Sequence, residues 1–232
     1  MLGSNNEPPA RAGAAASRIL SVGLTGNIAA GKSTVSAWLA DLGCYVVDAD
    51  ELGHAALEAD QPAYADVVRA FGSEVLTEKG SIDRKELGRI VFVDAAARKR
   101  LEGILHPDIR RREMELVARW AQGVDTGIAI TEAALLFETG SAGRYHRIVV
   151  VVAPDEERSR RLVALGLSPE EARQRMESQM RQREKSELAD FVVDNGCDLE
   201  STRRQVQHLH QALLLDLEAL SDGMPQPRAP SI

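Results

Sequence analysis

Apolar residues follow two alternating patterns along the chain. Short continuous apolar runs, typical of strands buried on both faces of a sheet, cover residues 19–24, 44–47, 128–131, 147–152 and 191–193. Stretches with apolar residues three or four apart separate these runs and predict helices, the first over residues 33–42 and the last over residues 199–217. Buried strands that alternate with helices form parallel sheets, so the pattern predicts an α/β fold with a five-stranded parallel sheet flanked by helices.

A long segment between the second and third predicted strands has only helical patterns. Asp83 and Asp94 each precede such a pattern and are suited to cap a helix N-terminus, while Gly80 and Pro107 predict breaks. We expect residues 54–112 to form a helical subdomain.

Another predicted helix begins at a capping box. Ser168 and Glu171 have the spacing of that motif, Pro169 occupies the first helical position, and the pattern predicts a helix that continues toward Lys185.

Composition narrows the class of protein. The 232 residues carry a formal net charge of −7, which argues against a broad surface for nucleic acid or for an acidic membrane. No apolar run approaches the roughly 18 residues that a membrane span requires. Cys44 and Cys197 are the two cysteines, so we expect inert thiols, a reducing compartment and a cytoplasmic protein. Residues 1–17 and 221–232 are rich in polar residues, Gly or Pro and are predicted to be flexible.

The connection between the first strand and the first helix has the pattern of a phosphate-binding loop. Two glycines allow backbone N–H groups to turn toward phosphate oxygens, and the following helix adds its positive N-terminal end. Lys32 is placed to reach the β- and γ-phosphates of ATP, and Ser33 to supply a hydroxyl to Mg²⁺. The predicted nucleotide-binding residues of this loop are Gly26, Asn27, Ile28, Ala29, Ala30, Gly31, Lys32, Ser33 and Thr34.

Two aspartates follow the second predicted strand. Asp48 and Asp50 are two residues apart, so if the strand geometry persisted both would face the same way, toward the phosphate loop. Asp50 is a candidate general base for an acceptor hydroxyl. Asp48 has two open interpretations, a functional carboxylate or a cap for the helix that follows.

Together these segments resemble the dephospho-CoA kinase family. The resemblance rests on residues 23–33, on the Val-Val-Asp-Ala-Asp run at 46–50 and on Leu-His-Pro at 105–107, followed in the same order by similar segments up to residues 189–195. It implies a kinase that uses ATP with Mg²⁺ to phosphorylate the ribose 3′-hydroxyl of dephospho-CoA. It also implies one domain over residues 18–220, in which residues 54–112 bind the acceptor and residues 155–185 form a small lid. The core would then comprise residues 18–53, 113–154 and 186–220.

The resemblance also suggests roles for single residues. Asp50 matches the position of the catalytic base, His106 and Leu135 lie in segments on the acceptor side, and Arg84 is a candidate for its phosphates. Asn195 matches a position at the adenine edge. Each has a structural alternative: His106 could fix a helix junction, Arg84 could belong to a charged helix face, and Asn195 could form a turn.

Two departures from the family's pattern affect the site. Where the third strand usually ends in Asp, this chain has Glu132, which we expect to support Mg²⁺ through water or to contact the acceptor. The turn at residues 164–168 has no arginine, although the family usually has one there. Arg161 is the predicted replacement, with Arg158 and Arg181 as alternatives.

Three other functions share parts of these signals. Another P-loop nucleotide or small-molecule kinase would differ in the helical segment, and an ATP-binding family member with weakened catalysis would fit the missing arginine. A guanine-nucleotide switch is disfavoured, because the chain has no Asn-Lys-X-Asp run.

Overall fold

A computed structural model describes residues 18–196 and 198–220. The predicted flexible segments 1–17 and 221–232, and the thiol of Cys197, lie outside these residues.

Five strands form one sheet. Their order across the sheet is β2-β3-β1-β4-β5, and the pairs β1·β3, β1·β4 and β4·β5 are parallel. The predicted five-stranded parallel sheet is confirmed. The strands are β1 (Arg18–Thr25), β2 (Tyr45–Asp48), β3 (Thr126–Glu132), β4 (Arg147–Val152) and β5 (Phe191–Asp194).

Helices occupy most of the remaining described chain. Short 3₁₀ turns at Ser73–Val75 and Ala142–Arg144 accompany them. The helices are α1 (Lys32–Asp41), α2 (Ala49–Ala56), α3 (Pro62–Phe71), α4 (Arg84–Val93), α5 (Ala95–Ala121), α6 (Asp155–Ala164), α7 (Pro169–Glu177), α8 (Gln182–Glu187) and α9 (Leu199–Ala219). Within the described residues, none of these helices has the length and apolar character needed to cross a membrane.

The described chain divides into two compact units. The first, residues 18–47 and 117–220, contains the core of the sheet, and the second, residues 48–116, is helical. In the first unit α1 and α9 pack together over the sheet, where buried residues of β1 such as Leu20 and Val22 meet Leu39 and Leu213. This packing fixes the carboxyl end of β1, where the phosphate loop begins.

The helical unit has its own apolar core. Val67, Val75 and Leu87 are buried there, and the predicted caps are confirmed, since Asp83 and Asp94 each accept two backbone hydrogen bonds at the start of a helix. The oxygen of each carboxylate pairs with N–H groups that the helix itself leaves without partners.

The break predicted at Pro107 is wrong. Pro107 lies inside the continuous 27-residue helix α5. A proline in a helix interior costs about 3 kcal/mol. Leu101, Ile104 and Leu105 pack against the helical core just before it, and Arg112 pairs with Asp108 at 2.6 Å just after it. We attribute the continuity to these contacts, so His106 does not mark a helix junction.

The helix predicted to run toward Lys185 ends early. The capping box is confirmed, because Ser168 accepts from the N–H of Glu171 while the Glu171 carboxylate accepts from the N–H of Ser168. However, α7 ends at Glu177 and α8 begins at Gln182. We call residues 178–181 the connector, and its contacts explain the interruption.

Candidate active site

The phosphate loop follows β1 and ends where α1 begins. Gly26, Ala29 and Gly31 have φ values of +154°, +61° and +96°. A Cβ on Gly26 would lie 2.3 Å from the carbonyl oxygen of Val151, and one on Gly31 would lie 2.0 Å from the side-chain Nδ2 of Asn195. The two glycines are therefore required both by their backbone conformation and by close neighbours. The loop delivers the N-terminus of α1, where backbone N–H groups favour an anion.

Arg161 and Asn195 hold the carbonyl side of this loop. The Arg161 Nη1 donates to the carbonyl oxygens of Ala29 at 3.0 Å and Ala30 at 3.4 Å, and the Asn195 Nδ2 donates to Ala30 at 2.8 Å. Arg161 Nη2 also donates to the carbonyl of Asn195 at 3.1 Å. Fixing the carbonyls on one side orients the peptide planes of the loop. These positions do not test whether Arg161 contacts a transferring phosphate or Asn195 contacts adenine, and both stay predictions.

The connector contacts the first residues of the loop. Gln179 Oε1 accepts from the N–H of Ile28 at 2.8 Å, and Asn27 Nδ2 donates to the carbonyl of Met180 at 2.9 Å. In a continuous helix the carbonyl of Met180 would accept from the N–H four residues further on, so the break between α7 and α8 leaves this carbonyl to accept from Asn27.

Lys32 folds back over the loop that precedes it. Its Nζ donates to the carbonyl oxygen of Gly26 at 3.3 Å, so the ammonium lies at the opposite end of the loop from its own Cα. Ser33 is exposed at the second position of α1. The ammonium and the hydroxyl are thus both presented by the loop and the first turn of the helix, as phosphate binding requires.

Glu132 is a buried carboxylate at the end of β3. It is 8% exposed and lies beside Leu24 of β1 in the register of the sheet. Its Oε2 is 2.7 Å from the Oγ of Ser36, which is also 3.2 Å from the carbonyl oxygen of Ser33. Ser36 has a single hydroxyl proton, and the shorter, charge-assisted bond to the carboxylate takes it. Glu132 is therefore held against the first turns of α1. Ser36 was missed because no pattern in the sequence joins it to Glu132.

The segment after β3 is anchored by a second buried charge. Lys185 is fully buried, and its Nζ donates to the carbonyl of Ala134 at 3.1 Å and pairs with Glu138 at 2.8 Å. Leu135, the predicted acceptor contact in this segment, is 42% exposed. Lys185 received no role in the sequence analysis, although its segment contributes to the family resemblance.

The other predicted acceptor residues belong to the helical unit. β2 ends at Asp48 and α2 begins at Ala49, so the strand geometry does not persist to Asp50. Asp48 is the cap of α2, accepting from the N–H groups of Asp50 at 2.8 Å and Glu51 at 3.0 Å. Asp50 lies in the first turn of α2, Arg84 is the first residue of α4, and His106 is in α5.

A family model described as "Dephospho-CoA kinase" matches residues 20–201, which include most of both units. The chain belongs to the dephospho-CoA kinase family. A dephospho-CoA kinase of Aquifex aeolicus is 40% identical over 195 residues, covering 84% of this chain and 98% of that protein. One from Geobacter sulfurreducens is 43% identical over 190 residues, covering 81% of this chain and 95% of its own length.

Solved structures agree with the family assignment. The dephospho-CoA kinase of Campylobacter jejuni is 28% identical with a TM-score of 0.58, covering 84% of this chain and 97% of that one. A crystal structure of a Thermus thermophilus protein is 37% identical with a TM-score of 0.74, covering 86% of this chain and 98% of its own. Dephospho-CoA kinases are ATP-dependent kinases that act on a hydroxyl group, and this chain is one of that family.

Proposed function

We propose that this protein transfers the γ-phosphate of ATP to the ribose 3′-hydroxyl of dephospho-CoA, giving coenzyme A and ADP in the last step of coenzyme A biosynthesis. The observation that carries the proposal is the family match over residues 20–201, because it extends past the phosphate loop, which many kinases share, through the helical unit to the connector and β5. In this reaction a bond forms between the acceptor oxygen and Pγ, and the bond from Pγ to the β–γ bridging oxygen breaks.

The phosphate loop would hold the donor. Its backbone N–H groups and the start of α1 bind the phosphates, and Lys32 reaches the β- and γ-phosphates. Arg161 keeps its proposed catalytic role from the carbonyl side of the loop, where its guanidinium adds positive charge behind the phosphates. Asn195 remains the proposed contact to the adenine edge.

The donor set fits Mg²⁺, which is usually held by one or two carboxylates together with phosphates and water. Ser33 would hold it with a hydroxyl oxygen from the first turn of α1, and Glu132, at the end of β3, would support it through water. No group of three or more His, Cys, Asp or Glu side chains suited to a metal occurs in the part of the chain that the structure describes. When bound, the ion would offset negative charge on the phosphates.

Asp50 is the proposed general base. It would accept the proton of the 3′-hydroxyl as that oxygen attacks, which makes a poor nucleophile reactive. Arg84, His106 and Leu135 are the proposed contacts to the acceptor, and Glu132 is a second candidate for contact with it. We propose residues 54–112 as the acceptor-binding part.

The lid proposed at residues 155–185 would exclude water, so that ATP is not hydrolysed instead. A cytoplasmic location is proposed from the cysteine content of the sequence.

Measuring ADP release with ATP and Mg²⁺ tests the acceptor assignment. Dephospho-CoA should support turnover far better than AMP or shikimate, and Asp50→Asn should lower kcat by about 10²–10⁴ with little change in the KM for ATP. Asp60→Asn is the matched control, because Asp60 is an exposed aspartate of the same helical unit. Preference for another acceptor would reject the assignment, and full activity of Asp50→Asn would reject the proposed base.

A further inference from the structure

The connector and the phosphate loop are joined by two complementary hydrogen bonds. Two consecutive loop residues, Asn27 and Ile28, meet two consecutive connector residues, Gln179 and Met180, that are more than 150 positions away in the chain. In one bond a loop side chain donates to connector backbone, and in the other a connector side chain accepts from loop backbone. The pairing therefore fixes both the position and the direction of the loop.

The connector is itself anchored by other residues of the first compact unit. The N–H of Met180 donates to Glu138 Oε1 at 3.3 Å, and Glu138 is paired at 2.8 Å with the fully buried Lys185. Lys185 in turn donates to the carbonyl of Ala134 in the segment after β3. The connector groups that bind the loop are thus themselves held in place by Glu138 and Lys185, so they can position the loop.

Ile28 is bound on both sides of its backbone by residues from the same part of the chain. Gln179 accepts from its N–H, and Arg158, which is buried, donates to its carbonyl oxygen at 3.4 Å. A buried or partly buried backbone N–H that loses its partner is costly, so the loop conformation depends on the Gln179 carbonyl. The loop residues after Ile28 lead to the start of α1, whose backbone N–H groups are proposed to bind the phosphates.

We infer that Gln179 is a positioning residue that holds the phosphate loop in the form that binds ATP and couples this loop to residues 155–185. The inference rests on the proposed function only in assuming that the loop binds ATP, and it does not depend on the identity of the acceptor. If Gln179 contributed only to the free energy of folding, replacing it would leave the affinity of the folded protein for ATP unchanged.

Three variants of the full chain test this role. Gln179→Met keeps the length of the side chain and removes the acceptor, whereas Gln179→Glu keeps an acceptor oxygen. Gln174→Met makes the same change at an exposed glutamine of α7, whose Nε2 donates to Glu170 rather than to the loop. Two quantities are measured without any acceptor substrate: the Kd for Mg²⁺-bound non-hydrolysable ATP by calorimetry, and the hydrogen exchange rate of the Ile28 amide.

Gln179→Met should raise the Kd by about tenfold, as expected for the loss of one backbone hydrogen bond, and should speed exchange of the Ile28 amide. Gln179→Glu should restore protection of that amide, and Gln174→Met should match the unchanged protein in both measurements. An unchanged Kd in Gln179→Met, or an Ile28 amide equally protected in all variants, would overturn the inference. Because no acceptor is present, failure of the dephospho-CoA assignment would leave this result intact.

Discussion

Gly26→Ala provides a sharp test of how the phosphate loop depends on its position against the sheet. A Cβ at this residue would lie 2.3 Å from the carbonyl oxygen of Val151, whereas ordinary contacts begin at 3.4 Å. Val151 is a buried residue inside β4 and cannot retreat without moving the strand. The loop must therefore shift by about 1 Å, and a displacement of that size typically costs about 10² in rate. That factor corresponds to about 2.7 kcal/mol of transition-state stabilisation.

Gly43→Ala separates this displacement from backbone strain. Gly43 also has a positive φ, +94°, but an added Cβ meets nothing within 4 Å. Both variants should lose about 1–3 kcal/mol of folding free energy from the unfavourable backbone conformation. Only Gly26→Ala should lower kcat/KM for ATP by about 10², as measured by ADP release alongside urea unfolding. A kcat/KM within threefold of the unchanged protein would refute the argument that the loop is held in place by this contact.

Three further predictions concern stability and reactivity. Arg147→Met should cost about 3–5 kcal/mol in urea unfolding, because it leaves the Asp216 carboxylate buried without the guanidinium at 2.9 Å; a loss below 1 kcal/mol would contradict this. His146 has a pKa lowered by burial and by Arg147, so its neutral form is favoured on folding and stability should fall as pH drops from 7.5 to 5.5. His146→Gln should show a smaller fall, because the imidazole whose neutral Nδ1 accepts from the N–H of Ser21 is replaced by a side chain that does not titrate; an equal fall would contradict this. Burial raises the pKa of Cys44 to about 12, so peptide mapping after treatment with a thiol reagent at pH 8 should find it unmodified in the folded protein, and rapid labelling would be inconsistent with the structure.

Sequence patterns predicted the bounds of an element well where those bounds depend on residues that are close together in the chain. β4 has the predicted bounds 147–152, and α9 begins at the predicted residue 199, because a continuous apolar run and a helical period each extend over the whole element. Asp83 and Ser168 were recognised as caps from the few residues around them. At Pro107 the local rule was overridden by packing and ion pairs along α5.

The candidate site was predictable only in part, for a related reason. The loop from Gly26 to Ser33 is a contiguous motif, so its residues could be named from the sequence alone. The partners that hold the loop are distant: Arg161 is 132 positions from Ala29, and Asn195 is 165 positions from Ala30. Such pairings depend on which strand ends the sheet brings together, and no spacing in the sequence records them.

The interruption of α7 illustrates the same limit. Residues 169–185 have good helical propensity throughout, so a single helix was the natural prediction. The helix instead stops before the connector, where the carbonyl of Met180 accepts from the Asn27 side chain and not from a helical N–H. A local prediction failed at a position where the structure connects to the proposed nucleotide site.

The most direct test of the proposed reaction is to follow the labelled γ-phosphate of ATP into product. The protein is incubated with Mg²⁺, γ-labelled ATP and either dephospho-CoA or its 3′-deoxy analogue, and the position of the new phosphate is determined by ³¹P NMR. The label should appear on the ribose 3′-oxygen of dephospho-CoA, with one ADP formed per phosphate transferred, and the 3′-deoxy analogue should accept none. Label on another hydroxyl, equal labelling of the analogue, or release of the label only as inorganic phosphate would contradict the proposed function.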